Sequence, residues 1–321
     1  MLPDGRRLGA HLPLGNGMVK AVDRAHEIGA SALQVFGDNP TAWRRRAAPP
    51  TELPAFRARL AERDIGPLAI HASYLINLAG ADRTFAAQSI ALLADELRAA
   101  PGYGATFVNV HTGSHRGTSA AEGIARLAGA VATVVAEAGD EPGAALLVLE
   151  NSAGSGFGVG ATVEELADIA DAIAARGVPD RRLGFCLDTA HLWGAGHDLA
   201  DPAATDALLD AFDRRIGLER LVMMHLNDAR APLGSRLDRH EHIGAGGIGE
   251  RGMAHILTHP LLARVPTYLE TPGMDEGYDA INMARALALA EGRPLPPLPS
   301  GALTVRGGRA RTAPHAEPEP V

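Results

Sequence analysis

Residues 183–191, LGFCLDTAH, form an apolar run that stops at a carboxylate, Asp188, and reaches an imidazole, His191, within one turn. A buried strand rarely finishes on Asp or Glu unless the charge is paired or coordinated, because an isolated ion in apolar surroundings is costly. The same grammar recurs in PLAIHAS (67–73), TFVNVHTGSH (106–115), LLVLEN (146–151), LVMMHLND (221–228) and PTYLETP (266–272), each with His or Glu where a strand would finish. A Gly-rich stretch adds Asp238 and His240, which flank Arg239 and so fall on one side of an extended segment. In a parallel barrel the strand ends share one face. His71, His111, Glu150, Asp188, His191, His225, Asp238, His240 and Glu270 would therefore converge as a metal centre.

Working outward, strands are expected near 8–12, 32–37, 68–73, 107–113, 146–151, 183–189, 221–227 and 267–271. Between them lie segments with apolar residues at three- and four-residue spacing, such as 17–30, 84–100, 118–139, 162–177 and 204–217. Thr162 with Glu165 reads as a capping box, and Gly177 as a helix stop. Eight strand-then-helix units make an α/β fold of the (β/α)8 TIM barrel type, with its active site at the C-terminal face of the strands. A doubly wound sheet would offer fewer strands and a Gly-rich phosphate loop after the first, of which GNG at 15–17 is only an echo. The chain of 321 residues, 46% hydrophobic, suffices for one such domain over 1–292. From 293 to 321 Pro, Gly, Arg and Glu dominate with almost no large apolar side chains, the composition of a disordered tail.

Cys186 is the single cysteine and reads as a small core residue within LGFCL, which excludes a disulfide framework and a thiolate-held zinc ribbon. Any metal must be held by imidazole and carboxylate, a donor set suited to zinc, manganese, iron or cobalt. The N-terminal MLPDGRRLGAHLP lacks a secretory h-region, and no apolar stretch approaches the roughly 18 residues of a membrane span, so a soluble, cytoplasmic protein is expected. A net charge of −8 argues mildly against a polyanionic partner. That sum counts Glu150, Asp188, Asp238 and Glu270 as free, however, and divalent ions held by them would concentrate positive charge in the cleft. Of the other histidines, His26, His255 and His259 fall in helical segments and read as surface or packing residues, and His197, His242 and His315 as loop or tail residues. His11 and His115, near strand ends, read as donors that orient ligands.

Taken in order, GAH (9–11), HASYLINLA (71–79), NVHTGSH (109–115), LENSAG (149–154), CLDTAH (186–191), MHLNDA (224–229), GSRLDRHEHIGAGGIG (234–249), LETP (269–272) and DEGYD (275–279) resemble the endonuclease IV family of apurinic/apyrimidinic endonucleases. That family lies within the xylose-isomerase-like TIM barrels, and the resemblance runs from Gly9 to about Glu291. It implies a monomeric, zinc-dependent hydrolase of the deoxyribonuclease IV type that holds three zinc ions, replaceable in part by manganese. His71 and His111 would hold the first ion and Glu150 would bridge it to the second, which Asp188, His225 and Glu270 complete. His191, Asp238 and His240 would hold the third. The implied partner is double-stranded DNA with an abasic site. A hydroxide between the first two ions attacks the phosphorus on the 5′ side, leaving a 3′-hydroxyl and a 5′-deoxyribose phosphate in base excision repair. Glu150 would be ligand and hydroxide-positioning group together, the catalytic residue of this reading. Tyr74 and Leu75 match DNA-binding positions that wedge into the duplex.

The chain departs from the family pattern beside the wedge. GDNPTAWRRR (37–46) stands where relatives often carry K-N-x-R-x-W: Thr41 replaces an arginine that enters the duplex, Pro40 stiffens the loop and Asp38 brings a negative charge toward phosphate. Arg44, Arg45 and Arg46 offer compensating charge; Ala72 replaces an acidic neighbour of the first histidine, and Thr112 a proline. Two other readings compete. A sugar isomerase or epimerase of the same superfamily would use only Glu150, Asp188, His225 and Glu270, and would have no use for the trio His191, Asp238 and His240. A non-catalytic metal- or DNA-binding protein would be expected to lose ligand positions first, and all nine are filled.

Overall fold

Each apolar run forms a strand, and most strands finish where the run meets a polar side chain. The computed structural model describes residues 1–304 apart from 142, 274 and 275. Strands β1 (Leu8–His11), β2 (Ala32–Phe36), β3 (Leu68–His71), β4 (Phe107–His111), β5 (Leu146–Glu150), β6 (Leu183–Asp188) and β7 (Leu221–His225) come first in the chain. A two-stranded ribbon follows, β8 (Asp228–Ala229) with β9 (His240–Glu241), and then β10 (Thr267–Leu269). Strands β1 to β7 and β10 close into a barrel, every neighbouring pair parallel. The helices that return the chain are α1 (Met18–Glu27), α2 (Leu53–Glu62), α3 (Arg83–Tyr103), α4 (Ala120–Ala138), α5 (Val163–Ala174), α6 (Thr189–Ala195), α7 (Pro202–Arg215), α8 (Gly249–Thr258) and α9 (Asp279–Ala290). The fold is the expected TIM barrel. The strands are shorter than expected at their C-terminal ends: β3, β4 and β7 stop on the histidine itself, because past that residue the backbone leaves the ladder to form the mouth.

Two layers of side chains result from the period-two alternation of a strand. Leucines and valines such as Leu33, Leu147, Leu149 and Leu187 face outward and are fully buried under the helices. Inside the barrel Ala32, Ala69, Phe107, Val148, Cys186, Met223 and Tyr268 form a separate apolar plug. The Tyr268 hydroxyl donates to the Pro67 carbonyl at 3.1 Å, which satisfies the one polar atom this plug contains on a ring. Two residues further along each strand stand Gln34, His71, Asn109, Glu150, Asp188, His225 and Glu270. The polar floor of the mouth is thus the next interior layer above the plug. Gly9 is required at this closure: a Cβ there would lie 2.6 Å from the Ala32 carbonyl oxygen.

Helix α4 starts with a complete capping box, in which Ser119 and Glu122 satisfy each other's backbone N–H groups. The box expected at α5 is half made. Thr162 accepts from the Glu165 N–H, but the Glu165 carboxylate turns away to accept from Gly160 and Ala161 N–H at 2.9 Å each. Gly177, at φ 80°, closes the turn that follows α5. Arg285 on α9 donates to the carbonyl of Pro296 beyond the helix, and the buried Ala302 carbonyl lies 3.1 Å from His242 Nε2. The rest of the segment read as a tail, 305–321 with His315, lies outside the described residues. No helix among the described residues is long and apolar enough to cross a membrane.

Candidate metal centre

The strand ends deliver the donors to one buried point. Glu150 ends β5 with no solvent exposure, and its Oε2 lies 3.7 Å from His71 Nε2 and 3.5 Å from His111 Nε2. Its Oε1 faces His225 Nδ1 at 3.4 Å. That same Nδ1 is 3.8 Å from Asp188 Oδ2 and 3.3 Å from Glu270 Oε2. Asp188 caps α6 by accepting from the His191 N–H at 2.8 Å, which places His191 in the first turn of that helix and over the mouth. The β8–β9 loop and the first residue of β9 supply the remaining pair: His191 Nε2 is 3.4 Å from Asp238 Oδ2, and His240 Nε2 is 3.1 Å from Asp238 Oδ1. Three groups whose donor atoms mutually approach within 4.8 Å follow from this packing. They are His71 with His111 and Glu150, Glu150 with Asp188 and His225, and Asp188 with His191 and His240.

The far side of four of the rings is fixed. Nδ1 of His71 donates to the Ala72 carbonyl at 2.8 Å, Nδ1 of His191 to the Asn151 carbonyl at 2.9 Å and Nδ1 of His240 to the Glu270 carbonyl at 2.7 Å. His225 is turned the other way, with Nε2 donating to Gln34 Oε1 at 2.9 Å. Each of these bonds puts the ring proton on the outer nitrogen and leaves a lone pair aimed into the cage. Glu150 Oε1, His225 Nδ1 and His240 Nε2 are buried there with no hydrogen-bond partner. Orphaned acceptors in a buried site call for a cation, and imidazole with carboxylate is a donor set that fits zinc or manganese.

The electrostatics agree. Burial opposes ionisation of Glu150, but His111 and His225 hold its carboxyl well below the usual range. Burial likewise opposes a charge on His191, yet Asp188 and Asp238 raise it well above the ordinary imidazole value. His240, against the same opposition, is pushed up to about 10 by Asp238. A cage of buried carboxylates binds positive charge, and a divalent cation supplies that charge while the imidazoles stay neutral.

Four residues that complete the cage are not singled out by the sequence reading. Asn109 Nδ2 donates to Glu150 Oε2 at 2.5 Å, and Asn227 Nδ2 to Asp188 Oδ2 at 2.7 Å. Asn227 Oδ1 also accepts from the Glu270 N–H at 2.8 Å, and Asn151 Oδ1 from the Asp188 N–H at 2.6 Å. Gln34 Nε2 donates to Glu270 Oε1 at 2.6 Å. A signal for them exists: a lone amide within an apolar strand, as Asn109 in FVNVH, is rare unless something inside the barrel receives it.

Outside the cage, His11 Nδ1 lies 3.4 Å from Glu270 Oε1 and 3.0 Å from Gln34 Nε2. His115 instead packs on Phe157, with ring centroids 5.1 Å apart, and is in no described metal-competent group. His255 and His259 both direct Nε2 at Asp206 Oδ1, at 2.6 and 3.2 Å. Leu261 N–H donates to His259 Nδ1, which puts that ring's proton on Nε2 and makes the trio a hydrogen-bonded clamp between α7 and α8. Cys186 is buried in the plug, and burial pushes its thiol up to about 12. Tyr74 is 59% exposed at the mouth, its ring 5.5 Å from that of His71 and 6.5 Å from that of His111, with Leu75 half-buried beside it.

Fold and cage together define a xylose isomerase-like TIM barrel, and the family model of that description matches residues 22–291. A protein named "Probable endonuclease 4" from Methanoculleus marisnigri is 40% identical over 283 residues, 88% of this chain and 98% of that one. Another of the same name from Halorhodospira halophila is 41% identical over 84% of this chain and 90% of its own length. The crystal structure of endonuclease IV from Thermus thermophilus superposes with a TM-score of 0.75 at 39% identity, covering 89% of this chain and 99% of that one. The chain belongs to the endonuclease IV family of xylose isomerase-like TIM barrels.

Proposed function

We propose that this chain is a metal-dependent phosphodiesterase that cuts duplex DNA on the 5′ side of abasic sites, leaving a 3′-hydroxyl and a 5′-deoxyribose phosphate. The observation that carries the reading is the set of three donor groups linked through Glu150 and Asp188, with the outer nitrogens of His71, His191, His225 and His240 already hydrogen-bonded. Kinship with proteins named endonuclease 4 supports it. His71, His111 and Glu150 would hold one zinc, Glu150, Asp188, His225 and Glu270 a second, and His191, Asp238 and His240 a third, with manganese able to replace zinc in part. Bound ions lower the pKa of water toward neutrality, neutralise phosphoryl oxygens and stabilise a leaving alkoxide.

The chain's own residues do the rest. Glu150 is the catalytic residue, fixed by Asn109 so that its two oxygens face different imidazoles. Tyr74 offers an exposed ring and Leu75 an aliphatic wedge at the mouth, chemistry suited to prying open a stack where a base is missing. In this reading the barrel of residues 1–292 is the whole catalytic unit. A sugar isomerase would need the quartet of Glu150, Asp188, His225 and Glu270 but not the third group, in which His191 and His240 share Asp238.

The test is cleavage of an end-labelled duplex carrying one tetrahydrofuran abasic analogue, which resists β-elimination. A single cut 5′ to the analogue leaving a 3′-hydroxyl, lost with EDTA and in Glu150→Gln, is expected. Absence of cutting by metal-loaded protein contradicts the assignment and turns the search to sugars and other phosphodiesters.

A further inference from the structure

We propose that Asp38 is a positioning residue for the rim: it closes the loop after β2 on itself and thereby sets the Pro40 carbonyl that holds the backbone of Tyr74. The proposal rests on the reading of Tyr74 as a DNA-facing wedge and concerns how this chain aims it.

From sequence, Asp38 looks like a liability, a negative charge beside a phosphate path. Its carboxylate is in fact engaged within the loop. It accepts from the Asn39 N–H at 2.9 Å, from the Arg46 N–H at 2.7 Å and from the Arg46 guanidinium at 3.3 Å through both Nε and Nη2. Asp38 is therefore tied to a residue eight positions on, which makes 38–46 a closed loop. Inside it, Asn39 Oδ1 accepts from Thr41 N–H at 3.0 Å and from Thr41 Oγ1 at 2.8 Å, so the loop tip is a compact turn. The loop is anchored to the barrel wall by Tyr103, whose hydroxyl donates to the Gly37 carbonyl at 2.6 Å, and by Trp43, edge-on to Phe85 at 4.8 Å.

The output of this closed loop is a single carbonyl. Pro40 O accepts from the Tyr74 N–H at 3.1 Å and from Ser73 Oγ at 2.7 Å, and Ser73 Oγ in turn accepts from the Leu75 N–H at 3.2 Å. The backbone of both proposed wedge residues is thus referred to Pro40, whose φ is fixed by its ring. The loop's arginines do not leave it a simple cationic tip either: Arg46 is paired with Asp38, and Arg45 Nη1 lies 3.5 Å from the buried Glu96. Two of the three arginines are thus held by carboxylates, and the loop acts as a prop for the Tyr74 backbone.

Electrostatics and positioning predict opposite signs, which makes the test sharp. Asp38→Ala removes a negative charge beside the DNA path, so charge alone would lower KM at low salt. The prop predicts that KM for the abasic duplex rises about tenfold, the scale of losing a charge-assisted hydrogen bond, while kcat stays within about twofold. Asp38→Asn keeps an acceptor for the Arg46 N–H and should fall between the two. Hydrogen exchange gives a readout independent of activity: the Tyr74 and Leu75 amides should exchange faster in Asp38→Ala. Unchanged or lowered KM with unchanged exchange overturns the proposal. If wild-type protein does not cut the duplex, the proposed function fails on its own, and the exchange comparison still decides whether Asp38 holds the rim.

Discussion

The floor of the mouth and its rim are ordered in different ways. On the floor, strand register does the placing: His111 sits opposite Glu150, and Asp188 opposite His225, in adjacent parallel strands. Backbone carbonyls and buried amides then lock the rings. On the rim, the 38–46 loop closes on its own carboxylate and passes that order to Tyr74 through one carbonyl. A floor built on the barrel tolerates little change. A rim built on loop side chains can be re-aimed without disturbing it: Asp38, Pro40 and Thr41 depart from the family pattern there, while on the floor the departures Ala72 and Thr112 leave every donor position filled.

Breaking the floor should cost the most. Glu150→Gln is expected to lower turnover on the order of 10³-fold or more and to reduce bound metal, measured by single-turnover cleavage and elemental analysis. Retained metal with unchanged rate would mean that Glu150 is not central. Gln34→Ala removes the amide that donates to Glu270 and accepts from His225. A fall of about 10- to 100-fold in metal affinity or activity is expected, read by chelator competition. Tyr74→Ala should behave in the contrary way: KM rises about 5- to 100-fold, the scale of one lost stacking contact, while metal content holds. Loss of metal in Tyr74→Ala would erase the distinction between floor and rim.

The smallest effect concerns Glu96, buried under the rim beside Arg45 and pushed up to about 7 by its burial, which Arg45 only partly offsets. A carboxyl whose folded value exceeds its unfolded 4.5 binds its proton more tightly in the native state. Its contribution to stability is therefore fully present below about 4.5, declines as pH rises to about 7 and is flat above. The melting-temperature difference between wild type and Glu96→Gln should fall across that window and then level; a difference constant throughout contradicts the burial argument.

Most of the floor can be read directly from the chain, because a strand's alternation and a charge at its end are local facts. LGFCLD places Cys186 in the plug and Asp188 one interior step above it without knowledge of any other strand. Asn109 and Gln34 show in the chain only as lone amides within apolar strands; what they hold is not local, since Glu150 and Glu270 are 41 and 236 residues away. The capping box expected at Thr162 is incomplete because two competing N–H groups, on Gly160 and Ala161, lie within reach of Glu165. The rim is least legible: the sign of Asp38's influence depends on where Arg46 returns, which composition and periodicity do not encode.

The central claim is that nine side chains gathered from across the barrel hold a cluster of ions rather than one. Anomalous diffraction at the zinc edge from crystals of zinc-loaded protein tests it most directly. The account predicts separate peaks bound by His71, His111 and Glu150, by Glu150, Asp188, His225 and Glu270, and by His191, Asp238 and His240. A single peak on the Glu150, Asp188, His225 and Glu270 quartet, with His191 and His240 left unliganded, would contradict it and favour isomerase chemistry.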